Sequence, residues 1–257
     1  MKSCAVFLQG WASHPEVWAC QKADLSVEQV IRADYHKGVT DPQTRNGTSL
    51  YAVAALEAVN RETEKDQEVV LIGWSLGAMV VLELGLYIPE KIKGIILVGG
   101  TGRFTQAPDY QHGLPRAVVE RLKKRLTRNP EQTLREFYAL MFTPEEREAG
   151  YEEHFNKGIL SGGMNWSGEE LEAGLDFLIN QDLRHRLAAL KVPSLILHGE
   201  KDEICPSSAG LYLKENLRNS QFKLLQGCGH VPFLTQSKVF NKIVKGWITD
   251  LDKQRKG

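Results

Sequence analysis

Val69-Val70-Leu71-Ile72-Gly73-Trp74-Ser75-Leu76-Gly77-Ala78-Met79 carries an unbroken apolar run into a glycine-flanked serine and then into a helical pattern over Met79 to Leu86. Four apolar, largely β-branched residues in a row predict a strand buried on both faces. A G-x-S-x-G placed directly after such a strand and directly before a helix stands well above a chance match. A turn this sharp strains the serine backbone, and small residues two positions to either side let it close. The hydroxyl of Ser75 then stands exposed above the sheet. The helix start adds free N–H groups and a partial positive charge, so the amide of Leu76 is placed to donate to a developing oxyanion. The plainer alternative is a glycine-rich turn with a solvated serine.

A hydroxyl attacks poorly at neutral pH unless an imidazole takes its proton, and that imidazole needs a carboxylate to fix its tautomer. Where a serine sits on such a turn, the acid and then the histidine follow it in the chain. Asp202, in His198-Gly199-Glu200-Lys201-Asp202, falls just past the strand run Ser194 to His198. His230, in Gly227-Cys228-Gly229-His230-Val231-Pro232-Phe233, falls just past the run Phe222 to Leu225. Both lie outside the carboxyl ends of strands, where open parallel sheets gather their ligands. Glu200 is the rival acid, but two residues earlier it is still leaving the strand. Among the other histidines, His198 lies inside an apolar strand, and His14, His36, His112, His154 and His185 lie in loops or between the sheet segments. The second oxyanion donor is expected in Gln9-Gly10-Trp11-Ala12 after the first strand, with the amide of Trp11 as the group. The Trp11 indole either walls the pocket or packs on the core.

Outward from the serine, apolar runs at Cys4 to Leu8, Val27 to Ile31, Ile92 to Val98, Ser194 to His198 and Phe222 to Leu225 alternate with helical patterns. That alternation predicts an α/β fold, a mostly parallel sheet of about six strands flanked by helices. Val239, Phe240, Ile243, Val244, Trp247, Ile248 and Leu251 form one apolar stripe of helical period, with a frayed tail expected from Asp252. Between the strand ending near Gly99 and Ser194 no strand run appears, and bare loop of that length is disfavoured. Apolar groups such as Val118, Val119, Leu122 and Leu126 predict short helices instead. The expected organisation is a core of residues 1–102 and 187–257, with a helical lid inserted over 103–186.

Lys plus Arg equals Asp plus Glu at 32 each, so no net field draws this chain to nucleic acid or an anionic membrane. The charge is uneven locally. Residues 103–135 hold Arg103, Arg116, Arg121, Lys123, Lys124, Arg125, Arg128 and Arg135 against Asp109, Glu120 and Glu131, while residues 136–176 are mainly acidic. Such runs commonly mean solvated helix faces; they also suit an acidic partner. Cys4, Cys20, Cys205 and Cys228 have no metal-ligand spacing. No apolar stretch approaches the roughly 20 residues of a membrane-spanning helix. A monomeric cytoplasmic protein without metal or cofactor is expected.

With these residues in place the chain resembles the α/β-hydrolase superfamily over nearly its whole length. Within that superfamily it is similar to the pimeloyl-acyl-carrier-protein methyl ester carboxylesterases of biotin synthesis. Gly10-Trp11, Gly73 to Gly77, Phe137-Tyr138-Ala139-Leu140, Asp182-Leu183-Arg184 and Gly229 to Phe233 carry the likeness. It implies the α/β-hydrolase fold and a triad of Ser75, Asp202 and His230. It also implies substrate binding by Trp11, Ser75, Leu76, Phe137, Tyr138, Ala139, Leu140, Met141 and His230. The implied reaction is hydrolysis of a short acyl methyl ester, delivered on acyl carrier protein docking at the basic lid face. Gln9 stands where that family usually has histidine, Ala12 where it has a second glycine, and Gln132 and Glu136 where it places arginines. The short hairpin that members carry before the first strand is absent from the pattern. A carbon-carbon bond hydrolase, a lactonase, a thioesterase and a non-catalytic ligand receptor remain the alternatives on this scaffold.

Overall fold

The computed structural model describes residues 4–21, 25, 27–41, 44, 45, 47–64, 67–160 and 166–254. Six strands form one sheet: β1 Cys4–Leu8, β2 Gln29–Ala33, β3 Val69–Trp74, β4 Ile92–Val98, β5 Ser194–Gly199 and β6 Ser220–Leu225. Their order is β2-β1-β3-β4-β5-β6 and every neighbouring pair is parallel. β1, β3, β4 and β5 are buried along their whole length, because helices cover both faces of the sheet. β2 and β6, at the two edges, mix exposed and buried residues instead.

Edge position explains two differences from the sequence reading. The run Val27 to Ile31 predicts a strand two residues too early, because pairing with β1 aligns Cys4 with Gln29 and sets the register. The last strand likewise starts at Ser220 rather than Phe222, as Ser194 pairs with Ser220.

The chain steps outward from β1 to β2, then returns to place β3 on the other side of β1. The reversal leaves a crevice between the ends of β1 and β3, where open α/β sheets place their sites. Helix α1, Leu50–Glu62, starts at Ser49, whose side chain accepts from the Ala52 amide. Helix α2, Leu76–Tyr87, is buried on nearly every side from Leu76 to Gly85. Buried within it, Glu83 accepts from the Ser49 amide and hydroxyl, each at 2.7 Å, and from Gln181 at 3.2 Å.

Between β4 and β5 lie helices α3 Arg116–Arg128, α4 Pro130–Ala139, α5 Pro144–Glu148, α6 Tyr151–Leu160 and α7 Gly168–Asn180. The insertion expected over 103–186 spans them; its residues 161–165 lie outside the described residues. A paired neck joins this segment to the sheet. Arg103 and Asp182 form an antiparallel bridge, Leu183 donates its amide to the Gly102 carbonyl at 2.8 Å, and both Arg103 and Arg184 bond the Asp182 carboxylate. Burial would raise that carboxyl, but hydrogen bonds from Arg184 and Arg103 outweigh it and hold Asp182 at about 2.

After β5 come α8 Ser207–Asn216, α9 Pro232–Thr235 and α10 Ser237–Gln254. The stripe of α10 buries Phe240, Val244, Trp247, Ile248 and Leu251, while Val239 falls at its outer edge and is half exposed. The tail expected from Asp252 remains helical to Gln254, and residues 255–257 lie outside the described residues.

Candidate active site

Ser75 ends β3 and caps α2 with φ 57° and ψ −118°, a left-handed φ that a residue with a side chain adopts only under constraint. The constraint is visible in its neighbours. A side-chain carbon on Gly73 would lie 2.3 Å from the Gly77 carbonyl oxygen, and one on Gly77 would lie 2.5 Å from the carbonyls of Leu8 and Gln9. Only glycine fits both places, so the turn folds tightly against the end of β1. The Ser75 amide donates to Val98 at 2.9 Å, pinning the turn to β4 as well. Leu76 opens α2 and has no intrahelical acceptor for its N–H, which is the general condition of a first helical residue.

The loop after β1 meets this turn. A carbon on Gly10 would sit 3.3 Å from the Ser75 side chain, so the backbone leading into Trp11 passes directly beside the nucleophile position. Ala12 next to it also has a positive φ of 51°. Its carbonyl accepts from the Tyr138 hydroxyl at 2.6 Å, a bond that ties α4 to this strained loop. The Trp11 indole satisfies both alternatives raised for it. It is buried and donates to the Leu171 carbonyl at 2.9 Å, and it lines a cavity against the edge of the Phe137 ring.

On the opposite side, His230 is fully enclosed and its Nδ1 lies 2.7 Å from Asp202 Oδ2. Asp202 Oδ1 accepts the amides of Ile204 and Cys205 at 2.9 and 2.8 Å, so the carboxylate is aimed at the imidazole by its own loop. The carboxylate holds the proton on Nδ1, and Nε2 is buried with no hydrogen bond among the described residues. Ser75 does not bond it here, a looseness usual before a substrate closes the site. Trp74, adjacent to the serine, donates its indole N–H to the His230 carbonyl at 2.9 Å. The Ser75 turn thus grips the histidine loop directly.

The rivals fall elsewhere. Glu200 is exposed and accepts from the Gly227 amide, while Asp202 bonds the imidazole. His198 is buried in β5 with Nε2 2.7 Å from the Cys205 carbonyl, and burial lowers its pKa. Burial pushes the Cys228 thiol up to about 12, which removes it as a nucleophile.

A cavity of about 330 Å³ lies beside this arrangement, bounded by Trp11 on one side and Ile204 on the other. Phe104, Phe137, Leu140 and Leu175 make its walls largely apolar. Of the five residues Phe137 to Met141, Phe137 and Leu140 line this cavity. Tyr138 is fully buried and bonds Ala12, and the Met141 carbonyl accepts the His230 amide at 2.8 Å. Helix α3 supplies the mouth with Val118, Arg121 and Arg125.

Of the eight basic residues over 103–135, five are in ion pairs: Arg103 with Asp182, Arg116 with Glu120, Lys123 with Asp176, Arg125 with Glu136, and Arg135 with Glu131. Arg121, Lys124 and Arg128 are exposed without an ion pair among the described residues, and their spacing puts them on one face of α3. No pattern in the sequence points to Glu146, a buried carboxylate of α5 that bonds the Gly229 amide, nor to the Trp74 contact. Both connect segments far apart in the chain.

Among the described residues no helix is long and apolar enough to cross a membrane. The chain is 30% identical over 240 residues to a pimeloyl-[acyl-carrier protein] methyl ester esterase of Nitrosomonas europaea, covering 91% of each chain. It is 28% identical to a protein of the same name from Nitrosospira multiformis, over 91% of this chain and 90% of that one. An esterase from Exiguobacterium antarcticum superposes with a TM-score of 0.80 at 23% identity, over 97% of this chain and 93% of the other. The sequence profile described as alpha/beta hydrolase fold matches residues 6–237. Nine-tenths of the chain lies within that match, and the protein belongs to the α/β-hydrolase fold family.

Proposed function

We propose that this protein is a serine carboxylesterase that cleaves a short acyl methyl ester through Ser75, His230 and Asp202. The observation that carries this reading is the enclosed His230 to Asp202 hydrogen bond at 2.7 Å, set behind a serine strained onto a helix start. His230 takes the Ser75 proton as the hydroxyl attacks the ester carbonyl, and Asp202 orients and stabilises the imidazolium. The amides of Leu76 and Trp11 hold the oxyanion. Methanol leaves with the proton returned by His230. Water activated by the same imidazole then releases the free carboxylate and restores Ser75.

The acyl chain lies along the apolar walls of Phe137 and Leu140, and residues 103–186 serve as the lid that selects it. The relatives' names support a pimeloyl methyl ester on acyl carrier protein as substrate, in keeping with a cytoplasmic role in biotin synthesis. Arg121, Lys124 and Arg128 are the cations free to meet an acidic carrier, on the helix that also forms the cavity mouth.

Hydrolysis of pimeloyl-carrier methyl ester by purified protein tests the reading. Ser75→Ala is expected to lower the rate on the order of 10⁶-fold and to abolish labelling by a fluorophosphonate probe. Strong preference for a lactone or a vinylogous diketone would replace the ester with another bond. Absence of both turnover and labelling in the folded wild type would favour a receptor. Lys124→Glu with Arg128→Glu is expected to slow the carrier-borne substrate while sparing para-nitrophenyl esters.

A further inference from the structure

Glu146 sits three residues into a five-residue helix, α5, and is 8% exposed. Its local duty is a capping box: Thr143 donates its amide to Oε2 at 3.0 Å, and the Glu146 amide returns to the Thr143 hydroxyl at 3.2 Å. Capping alone leaves a carboxylate free to point at water. Here both carboxylate oxygens instead face the Gly229 amide, each at 3.2 Å. The next amide in the chain, that of His230, donates to the Met141 carbonyl at 2.8 Å. Two consecutive N–H groups of the histidine loop are therefore taken by the stretch Met141 to Glu146, which runs from just past α4 into α5.

The fit is close on both sides. A carbon on Gly229 would stand 2.5 Å from the Met141 carbonyl oxygen and 2.8 Å from Glu146 Oε2. From below, the Lys201 amide holds the Cys228 carbonyl at 2.9 Å and the Trp74 indole holds the His230 carbonyl at 2.9 Å. Among the described residues no cation pairs with Glu146, so backbone N–H donors, together with the Cys228 thiol, compensate its burial. A buried carboxylate that is spent on a neighbouring loop rather than on a cation serves geometry.

We propose that Glu146 is a positioning residue for the catalytic base, holding Gly229 so that the His230 imidazole keeps its alignment between Asp202 and Ser75. The inference rests on the reading of His230 as base. It makes the inserted segment part of the machinery that orients the histidine, in addition to its place over the cavity.

Glu146→Gln separates this role from capping, because glutamine serves equally at the third position of a capping box. Its carbonyl oxygen can stand in for Oε2, but its NH₂ group then replaces the Oε1 that faces Gly229 and opposes that N–H. On a para-nitrophenyl ester, kcat is expected to fall about tenfold with KM within about twofold, since a small misplacement of a reacting group costs rate rather than binding. Thr143→Ala, which weakens the cap and leaves the carboxylate, is expected to lower the melting temperature with kcat within about twofold. Proton NMR gives a readout independent of turnover: the low-field resonance of the His230 Nδ1–H bonded to Asp202 should broaden or shift in Glu146→Gln and stay in place in Thr143→Ala. Wild-type kcat and an unmoved resonance in folded Glu146→Gln would overturn the proposal. Equal losses in both variants would overturn it as well, by reducing Glu146 to a cap. If the wild type and Ser75→Ala proved equally inactive, the ester reading would fall instead, and the resonance would still report on the clamp.

Discussion

His230 and Arg125 stand at opposite ends of the same site, and almost nothing about how they are held is alike. His230 has its amide on Met141, its carbonyl under Trp74 and its Nδ1 on Asp202, with no surface left to solvent. Arg125, at the cavity mouth, meets Glu136 through side chains that are each 46% exposed. Leaving a buried donor unpaired costs about 1–3 kcal/mol, whereas an exposed ion pair contributes about 0–1 kcal/mol. The floor of the site is therefore rigidly specified and its mouth is cheap to rearrange. On the proposed function, chemistry is fixed in one place and choice of substrate is adjustable in the other.

The comparison breaks most easily at its strong end. Asp202→Asn keeps the shape of the side chain but allows the wrong imidazole tautomer, and kcat on a simple ester is expected to fall on the order of 10³- to 10⁴-fold. A loss below tenfold would mean that the enclosed contacts at His230 do not govern turnover. Gly199→Ala is a smaller probe of the same floor. Its added carbon would lie 2.0 Å from the Gly229 carbonyl oxygen, so the end of β5 or the histidine loop must move. A destabilisation of about 1–3 kcal/mol in chemical denaturation is expected, together with reduced kcat. Arg125→Gln probes the mouth and carries the smallest effect. Stability should change by less than about 1 kcal/mol. A larger change would show that the mouth is built as firmly as the floor.

What the sequence disclosed follows the reach of each constraint. The turn from Gly73 to Gly77 is legible because strand, glycines and helix all act within a few residues of Ser75. Asp202 and His230 are legible because strand ends can be counted along the chain. The contacts that hold them are not. Glu146 reaches Gly229 across 83 residues and Trp74 reaches His230 across 156, and no local pattern encodes either pairing. Tyr138 shows the same limit. The resemblance implies substrate binding by Tyr138, and the fold turns its hydroxyl onto the strained Ala12 loop. Edge strands misled the reading for a related reason, since the register of β2 comes from β1 rather than from its own apolar residues.

The neck formed by Gly102, Arg103, Asp182 and Leu183 makes everything between β4 and β5 look like a graft, entering and leaving the sheet through adjacent strands of chain. Such a graft is in principle exchangeable, and a lineage that swapped it would gain a new appetite at no cost to the sheet. The Met141 carbonyl and the Glu146 carboxylate set a condition on that trade. A donor segment must bring an acceptor for each of the two amides at Gly229 and His230, or the host inherits a wider diet and a slack base. Transplants between members of this fold should accordingly fail in turnover before they fail in folding, and repair should come from the short stretch from Met141 to Glu146.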